Sequence, residues 1–293
     1  MDRRLFLRVV GLSSLFSSWW IRNLFGATQP VVAVAEGRDY ARITRDAING
    51  VGGMKRFVRP GNVVVVKPNM GWDRSPEQAA NTHPQVVRAV VEEALQAGAR
   101  KVKVFDRTCN DERRCYVNSG ITAILQGMKN VELKQIENER FRKVSLAGGT
   151  LKEWELYDEA LTADVFINVP VAKHHGLTKV TLGLKNVMGV MGGNRGSIHK
   201  NIDGALADVN AVVKSHLTVI DATRILTAHG PQGGNLADVK ALHKVIASAD
   251  IVAADAYATT LFGLKPADIA VIVAAHRRGL GEMNLDRIRV VKV

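Results

Sequence analysis

Apolar and polar positions fall into blocks along this chain, and the period changes from block to block. Residues 31–35 form a short valine-rich run. Residues 40–51 then carry Ile43, Ala47, Ile48 and Val51 at helical spacing and stop at Gly52-Gly53. Residues 62–66 read NVVVV. Four consecutive valines predict a strand buried on both faces, as in the centre of a parallel sheet. Lys67-Pro68-Asn69 ends it, because proline cannot donate to a ladder. Asn81-Thr82-His83-Pro84 opens a helix, with Thr82 the expected cap. Val86, Val87, Val90, Val91, Ala94 and Leu95 form its apolar face, and Gly98 ends it. Residues 101–105 predict a strand with Asp106 at its end.

The same reading continues to the end of the chain. Residues 121–128 predict a short helix, 131–136 a strand and 137–159 a peripheral hairpin. Residues 165–169 predict a buried strand, a helix begins near Gly176, and another spans 203–213. Residues 217–220 predict a strand ending in Asp221, and 239–247 fit helix or strand. Residues 251–254 predict a strand ending in Asp255, followed by a helix through Thr260. Residues 288–291 close as a strand. Alternation of strand and helix is the signature of an α/β fold with a mostly parallel, doubly wound, Rossmann-like sheet. No linker divides residues 28–293, so one domain is expected.

In such a sheet, ligands sit outside the carboxyl ends of the strands, where strand order reverses. Polar residues stand at those expected ends: Lys67 and Asn69, Asp106, Lys173 and His175, Asp221, and Asp255. Thr178, Thr181 and Lys185 would share one face of the helix after Gly176, beside Lys173 and His175. That is an anion site in outline. The Gly192-Gly193-Asn194-Arg195-Gly196 loop could close over a ligand, although it matches no nucleotide-binding fingerprint.

Charge narrows the partners. The formal net charge is +12, which favours anionic molecules. There is no run of five basic residues and no basic strand interleaved with aromatics, so nucleic acid is not an expected partner. Two cysteines, Cys109 and Cys115, are a disulfide candidate or two free thiols. His83, His175 and His199 with an aspartate such as Asp255 could hold a divalent metal, but Lys67, Lys173 and Lys185 would repel a bare cation.

Residues 1–27 read as an address. Arg3-Arg4-Leu5-Phe6-Leu7-Arg8 resembles a twin-arginine export signal, with Asp2 where Ser or Thr is usual. The apolar run 9–21 is short for a bilayer span. Cleavage after Ala35 would destroy the first strand, and Ala27 has Phe25 three positions back, so an uncleaved membrane tether is open. Export machinery and a periplasmic or extracytoplasmic location follow from this reading.

The motifs VVVVKPN, NTHP, AKHH followed by GLKNVMG, His199, and HGPQGG after a strand ending in Asp resemble the DUF362 family. The resemblance runs from about residue 31 to 263. It implies a site built from Lys67, Asn69, His83, Asp106, Lys173, His175, Thr181, Lys185, Asn186, His199 and Asp221. Some members of that family carry a fused iron–sulfur module, but two cysteines cannot hold a four-cysteine cluster. The expected function is an enzyme for a small phosphate- or carboxylate-bearing molecule. Lys67, Asn69, His83, Lys173, Thr181, Lys185 and Asn186 would bind it, and His175, His199, Asp106 and Asp221 would do acid–base work. A non-catalytic binding protein for an anionic solute and a metal-dependent enzyme are the alternatives.

Overall fold

Val64, Val65 and Val66 are fully buried. Val64 and Val66 face one hydrophobic core and Val65 faces another. The valine run is therefore a central strand with a core on each side. In the computed structural model, which describes residues 29–293, this strand is β2 (Val63–Pro68). The export signal expected in residues 1–27 lies outside the described residues.

The first half runs β1 (Val31–Glu36), α1 (Tyr40–Gly50), β2, α2 (Pro84–Gln96), β3 (Lys101–Val104), α3 (Glu112–Asn118), α4 (Ile121–Leu125) and β4 (Val131–Leu133). A hairpin of β5 (Phe141–Ser145) and β6 (Glu153–Tyr157) stands apart, as expected, and α5 (Asp158–Thr162) follows. Next come β7 (Val165–Val169), β8 (Val171–His175), β9 (Lys179–Thr181), α6 (Gly183–Asn186) and α7 (Ile202–Val212). The chain closes with β10 (Leu217–Leu226), β11 (Val239–Ser248), α8 (Ile251–Thr259), α9 (Ala270–Arg277) and β12 (Arg289–Lys292).

The main sheet has the order β12-β1-β11-β10-β7-β2-β3-β4, with β8 and β9 continuing from β10. Along that path only β11 runs against the other strands. Helices α1 and α2 supply one core, and α7, α8 and α9 the other. From β2 the chain steps outward through β3 to β4, then returns to β7 on the other side of β2 and moves on to β10. The β2–β7 junction is thus the point where strand order reverses, and a crevice opens there by geometry alone.

Three local expectations are corrected. First, His83, not Thr82, caps α2: its Nδ1 accepts from Gln85 N–H at 3.2 Å. Thr82 instead bridges strand ends, accepting from Asn69 N–H and donating to Val169 carbonyl at 2.7 Å. Second, residues 176–186 do not begin a helix. They turn into β9 and then the four-residue α6. Third, residues 251–254 open α8 rather than forming a strand, with Asp250 as cap. Nearly every side chain of α8 is buried, so it shows no polar face and its period is invisible in sequence.

Asp255 therefore sits inside a helix, not at a strand end. Its two carboxylate oxygens accept from Gly183 and Leu184 N–H at 2.7 and 2.8 Å. Burial pushes this carboxyl up to about 7, and the two donors pull it the other way. Asp255→Ala leaves both buried donors unpaired and should destabilise the protein by about 2 kcal/mol. A urea midpoint that falls with unchanged slope is the expected result, and an unchanged midpoint would show that α6 does not depend on this cap.

Candidate functional site

A cavity of about 440 Å³ lies at the β2–β7 crevice. Lys67 and Asn69 reach it from the end of β2, Asp106 and Arg107 from the end of β3. Lys173 and His175 come from β8, Thr181 from β9, Lys185 and Asn186 from α6. Arg195 and His199 close it from the glycine-rich segment. Five cationic side chains thus share the cavity with one carboxylate. Nine of the sequence-derived site residues converge there: Lys67, Asn69, Asp106, Lys173, His175, Thr181, Lys185, Asn186 and His199.

The floor is a buried ion pair. Lys67 Nζ lies 2.8 Å from Asp106 Oδ1 and donates to Asn186 Oδ1 at 2.9 Å. Both charged side chains are almost wholly inaccessible to solvent. Burial lowers the Lys67 pKa, and the Asp106 charge opposes that shift. Asp106 Oδ2 also accepts from Met70 N–H at 2.7 Å. Asn186 donates to Asn168 Oδ1 at 2.8 Å and to Lys67 carbonyl, so the pair is tied to β7. A Cβ on Gly189 would fall 1.8 Å from Asp106 Oδ1, so only glycine lets that backbone pass over the pair.

The β8–β9 hairpin presents the donors. Lys173 and His175 are two apart on one strand, and Thr181 is the cross-strand partner of Lys173, so the three share a face. His175 Nδ1 accepts from Leu177 and Thr178 N–H at 3.0 and 3.3 Å. Its remaining proton is therefore on Nε2, directed away from those amides. Burial, then the nearby Lys185 and Lys173 charges, drive its pKa down to about 3. The ring is neutral at physiological pH. Lys173 donates to Ala80 carbonyl and Asn69 Oδ1 and lies over Trp72. Burial lowers it to about 7 and lowers Lys185 to about 8. Thr181 Oγ1 is buried without a hydrogen-bond partner.

A latch holds the outer wall. Arg195 donates to the carbonyls of Arg107, Met188 and Thr108 and lies 3.3 Å from Cys109 Sγ. Arg107 donates to the carbonyls of Met191 and Gly193. His199 Nδ1 lies 2.6 Å from Gly196 carbonyl. A carbonyl can only accept, so Nδ1 carries a proton, and in the neutral ring Nε2 is left with a lone pair. Arg107, Arg195, Trp72 and the lining role of Cys109 escaped the sequence reading. Arg107 directly follows Asp106 and Arg195 lies in the glycine-rich loop, which were the available signals.

Several expected site residues are elsewhere. His83 caps α2 and packs edge-on against Tyr40. Asp221 lies mid-strand in β10, where it accepts from His83 N–H at 2.7 Å and from both the amide and the hydroxyl of Thr223. Asp255 caps α6 as described. Neither His83, Asp221 nor Asp255 lines the cavity: the His83 ring caps its own helix, and the two aspartates hold one element to another. The metal set His83, His175, His199 and Asp255 is therefore not assembled. Among the described residues no three His, Cys, Asp or Glu side chains gather as a metal site. Thr178 is not on a helix with Lys185; its hydroxyl donates to Val180 carbonyl. Of the two cysteine alternatives the disulfide is not formed: Cys115 is on the buried face of α3, Cys109 faces the cavity, and both are free thiols.

Comparison with known proteins places this architecture. The chain is 28% identical over 244 residues to a thylakoid-associated protein of Synechocystis sp., covering 80% of this chain and 74% of that protein. The solved lactate racemase apoprotein of Thermoanaerobacterium thermosaccharolyticum superposes with a TM-score of 0.52 at 10% identity. The match covers 78% of this chain and 56% of that one, and at that identity it shows a shared α/β fold. The model of the family described as a domain of unknown function, DUF362, matches residues 64–260, and the chain belongs to that family.

Proposed function

We propose that this protein is an enzyme for a small anionic molecule bearing a carboxylate or phosphate, and that it moves a proton on that molecule. The observation that carries the reading is the charge of the cavity. Lys67, Lys173, Lys185, Arg107 and Arg195 converge against a single carboxylate, Asp106, in a space of about 440 Å³. That volume suits a small metabolite. The Asp106 charge is already matched by Lys67, so the rest of the cationic field is available to a ligand. Thr181 Oγ1 and the Nε2–H of His175 add donors that protein atoms leave unmet.

The two histidines have complementary tautomers. His175 offers a proton at Nε2 without ionising, which suits it to hydrogen-bond a carbonyl or phosphoryl oxygen. His199 offers a lone pair at Nε2, which suits it to take a proton. A binding protein has no use for this opposition. The working test is nuclear magnetic resonance in heavy water with carboxylate probes. Deuterium entering a carbon-bound position, lost on His199→Asn with binding retained, is expected. Tight binding with no exchange for any probe would return the site to the solute-binding alternative.

Binding should depend on pH in a definite direction. Unfolded lysine titrates near 10.5, whereas Lys173 and Lys185 are lowered to about 7 and about 8. The folded protein therefore loses these protons first, and its stability rises with pH between about 7 and 10. An anion favours the protonated amines, so its affinity should fall as pH rises from 7 to 9. Titration calorimetry at pH 8 in buffers of different ionisation enthalpy should show net proton uptake on binding oxalate or phosphate. Proton release would contradict the assignment.

The site of action proposed is outside the cytoplasm, with the protein exported folded and held at a membrane if its first residues remain. Arg3-Arg4-Leu5-Phe6-Leu7-Arg8 supports this, and the Synechocystis relative is described as thylakoid-associated. Among the described residues no helix is long and apolar enough to cross a membrane. In a bacterial host with twin-arginine machinery, the Arg3→Lys, Arg4→Lys double variant should stay in the cytoplasmic fraction while the parent is exported. Equal export of both would exclude the route.

A further inference from the structure

The five cations of the cavity are not equivalent. Lys67 is satisfied by Asp106 and Asn186. Lys173 donates to Ala80 carbonyl and Asn69 Oδ1. Arg107 and Arg195 each donate to backbone carbonyls. Lys185 has no oxygen acceptor among the described residues: its one partner is the Met188 thioether sulfur, at 3.5 Å. A thioether is a weak acceptor and carries no charge. An ammonium left there would be poorly compensated. A neutral amine tolerates the contact.

We propose that Lys185 is a nucleophile that captures the carbonyl of a small 2-oxo carboxylate as an imine. The proposal rests on the anion-binding reading of the cavity and names its substrate class. The substrate carboxylate lies in the field of Lys173 and Arg195. The Lys185 Nζ lone pair attacks the carbonyl carbon, and the C–N bond forms as the C–O π pair moves onto oxygen. That oxygen takes a proton and lies within a cavity that holds Thr181 Oγ–H and His175 Nε2–H as donors. The nitrogen gives up a proton, for which His199 Nε2 is an acceptor in the same cavity. A second proton on oxygen releases it as water. The balance is amine plus ketone plus one proton from solvent to protonated imine plus water, with no oxidant or reductant. The protonated imine then draws electrons from the adjacent carbon and acidifies its hydrogens, which is the proton transfer assigned to this site.

Two further features fit this use. Lys185 is set on α6, which is held at its start by Asp255 and at its end by Asn186, so the amine has a fixed base. Burial and the nearby Arg195 and Lys67 charges lower its pKa to about 8, so a substantial fraction is neutral at physiological pH. A like-charged neighbour or a desolvating pocket is the usual means of making a lysine nucleophilic.

The test is reductive trapping on the full chain with pyruvate, 2-oxobutyrate or 2-oxoglutarate and cyanoborohydride, followed by peptide mass spectrometry. Lys185 should be labelled at least tenfold faster than the exposed Lys101 and Lys143. With saturating oxo acid labelling should quicken from pH 7 to 9, and at subsaturating oxo acid it should be suppressed by oxalate. Lys185→Met should lose this adduct, and Lys173→Met should slow the labelling without moving the adduct to another lysine. Oxalate binding by calorimetry is read in parallel. If oxalate binds and no oxo acid labels Lys185 above the exposed lysines, the imine is wrong and the anion site stands. If oxalate does not bind and nothing labels, both readings fall. Preferential labelling of Lys173 would also overturn the assignment.

Discussion

The Lys67–Asp106 pair is the constraint on which the rest of this site depends. Two opposite charges are buried between β2 and β3 with almost no solvent contact. Such a pair is tolerable only when the remaining donors and acceptors are also met, and losing one partner typically costs about 3–5 kcal/mol. Here Asn186 accepts from Lys67 and the Met70 amide donates to Asp106 Oδ2, while Asp106 Oδ1 has the Lys67 charge as its one partner among the described residues. Through Asn186 the pair reaches Asn168 on β7, and Asn168 donates to Gly183 carbonyl. One polar chain thus crosses the crevice and fixes α6 over it. The bare backbone at Gly189 is the steric condition for this arrangement.

From that anchor follows a division between spent and unspent groups. Asp221 and Asp255 join elements with both carboxylate oxygens, and His83 Nδ1 caps α2, all outside the cavity lining. Lys185, Thr181 and the outer nitrogens of His175 and His199 are not used in that way. The cavity is therefore lined by uncommitted polar groups on one side and by structural ones on the other. Its electrostatics have the same origin: desolvation lowers the lysines, and burial first, then their positive charges, keeps His175 neutral.

The sheet was legible from short patterns. NVVVV identified β2 because a strand with cores on both faces has no polar alternation to disguise it. The helices α1 and α2 were legible because each keeps one wet face. The region after Pro170 was not. AKHHGLTKVTLGLKN carries lysines and threonines at spacings that suit a helix or a hairpin, and local propensity does not separate them. Pairing of β8 with β10, a strand some fifty residues onward, decides in favour of the hairpin. Likewise α8 was unreadable because burial on every side erases periodicity.

The sequence by itself determined the α/β class, the excess of positive charge and most of the residues at the strand ends. These depend on composition and on periods of two or four residues, which a chain carries locally. Only the tertiary structure decided which polar residue faces the cavity and which is consumed as a cap or brace. It also brought Arg107 and Arg195 to the wall and left Lys185 without an oxygen partner. A hydrogen-bond partner far away in the chain leaves no trace beside the residue it satisfies. Whether an aspartate, histidine or lysine is free is therefore a property of the fold.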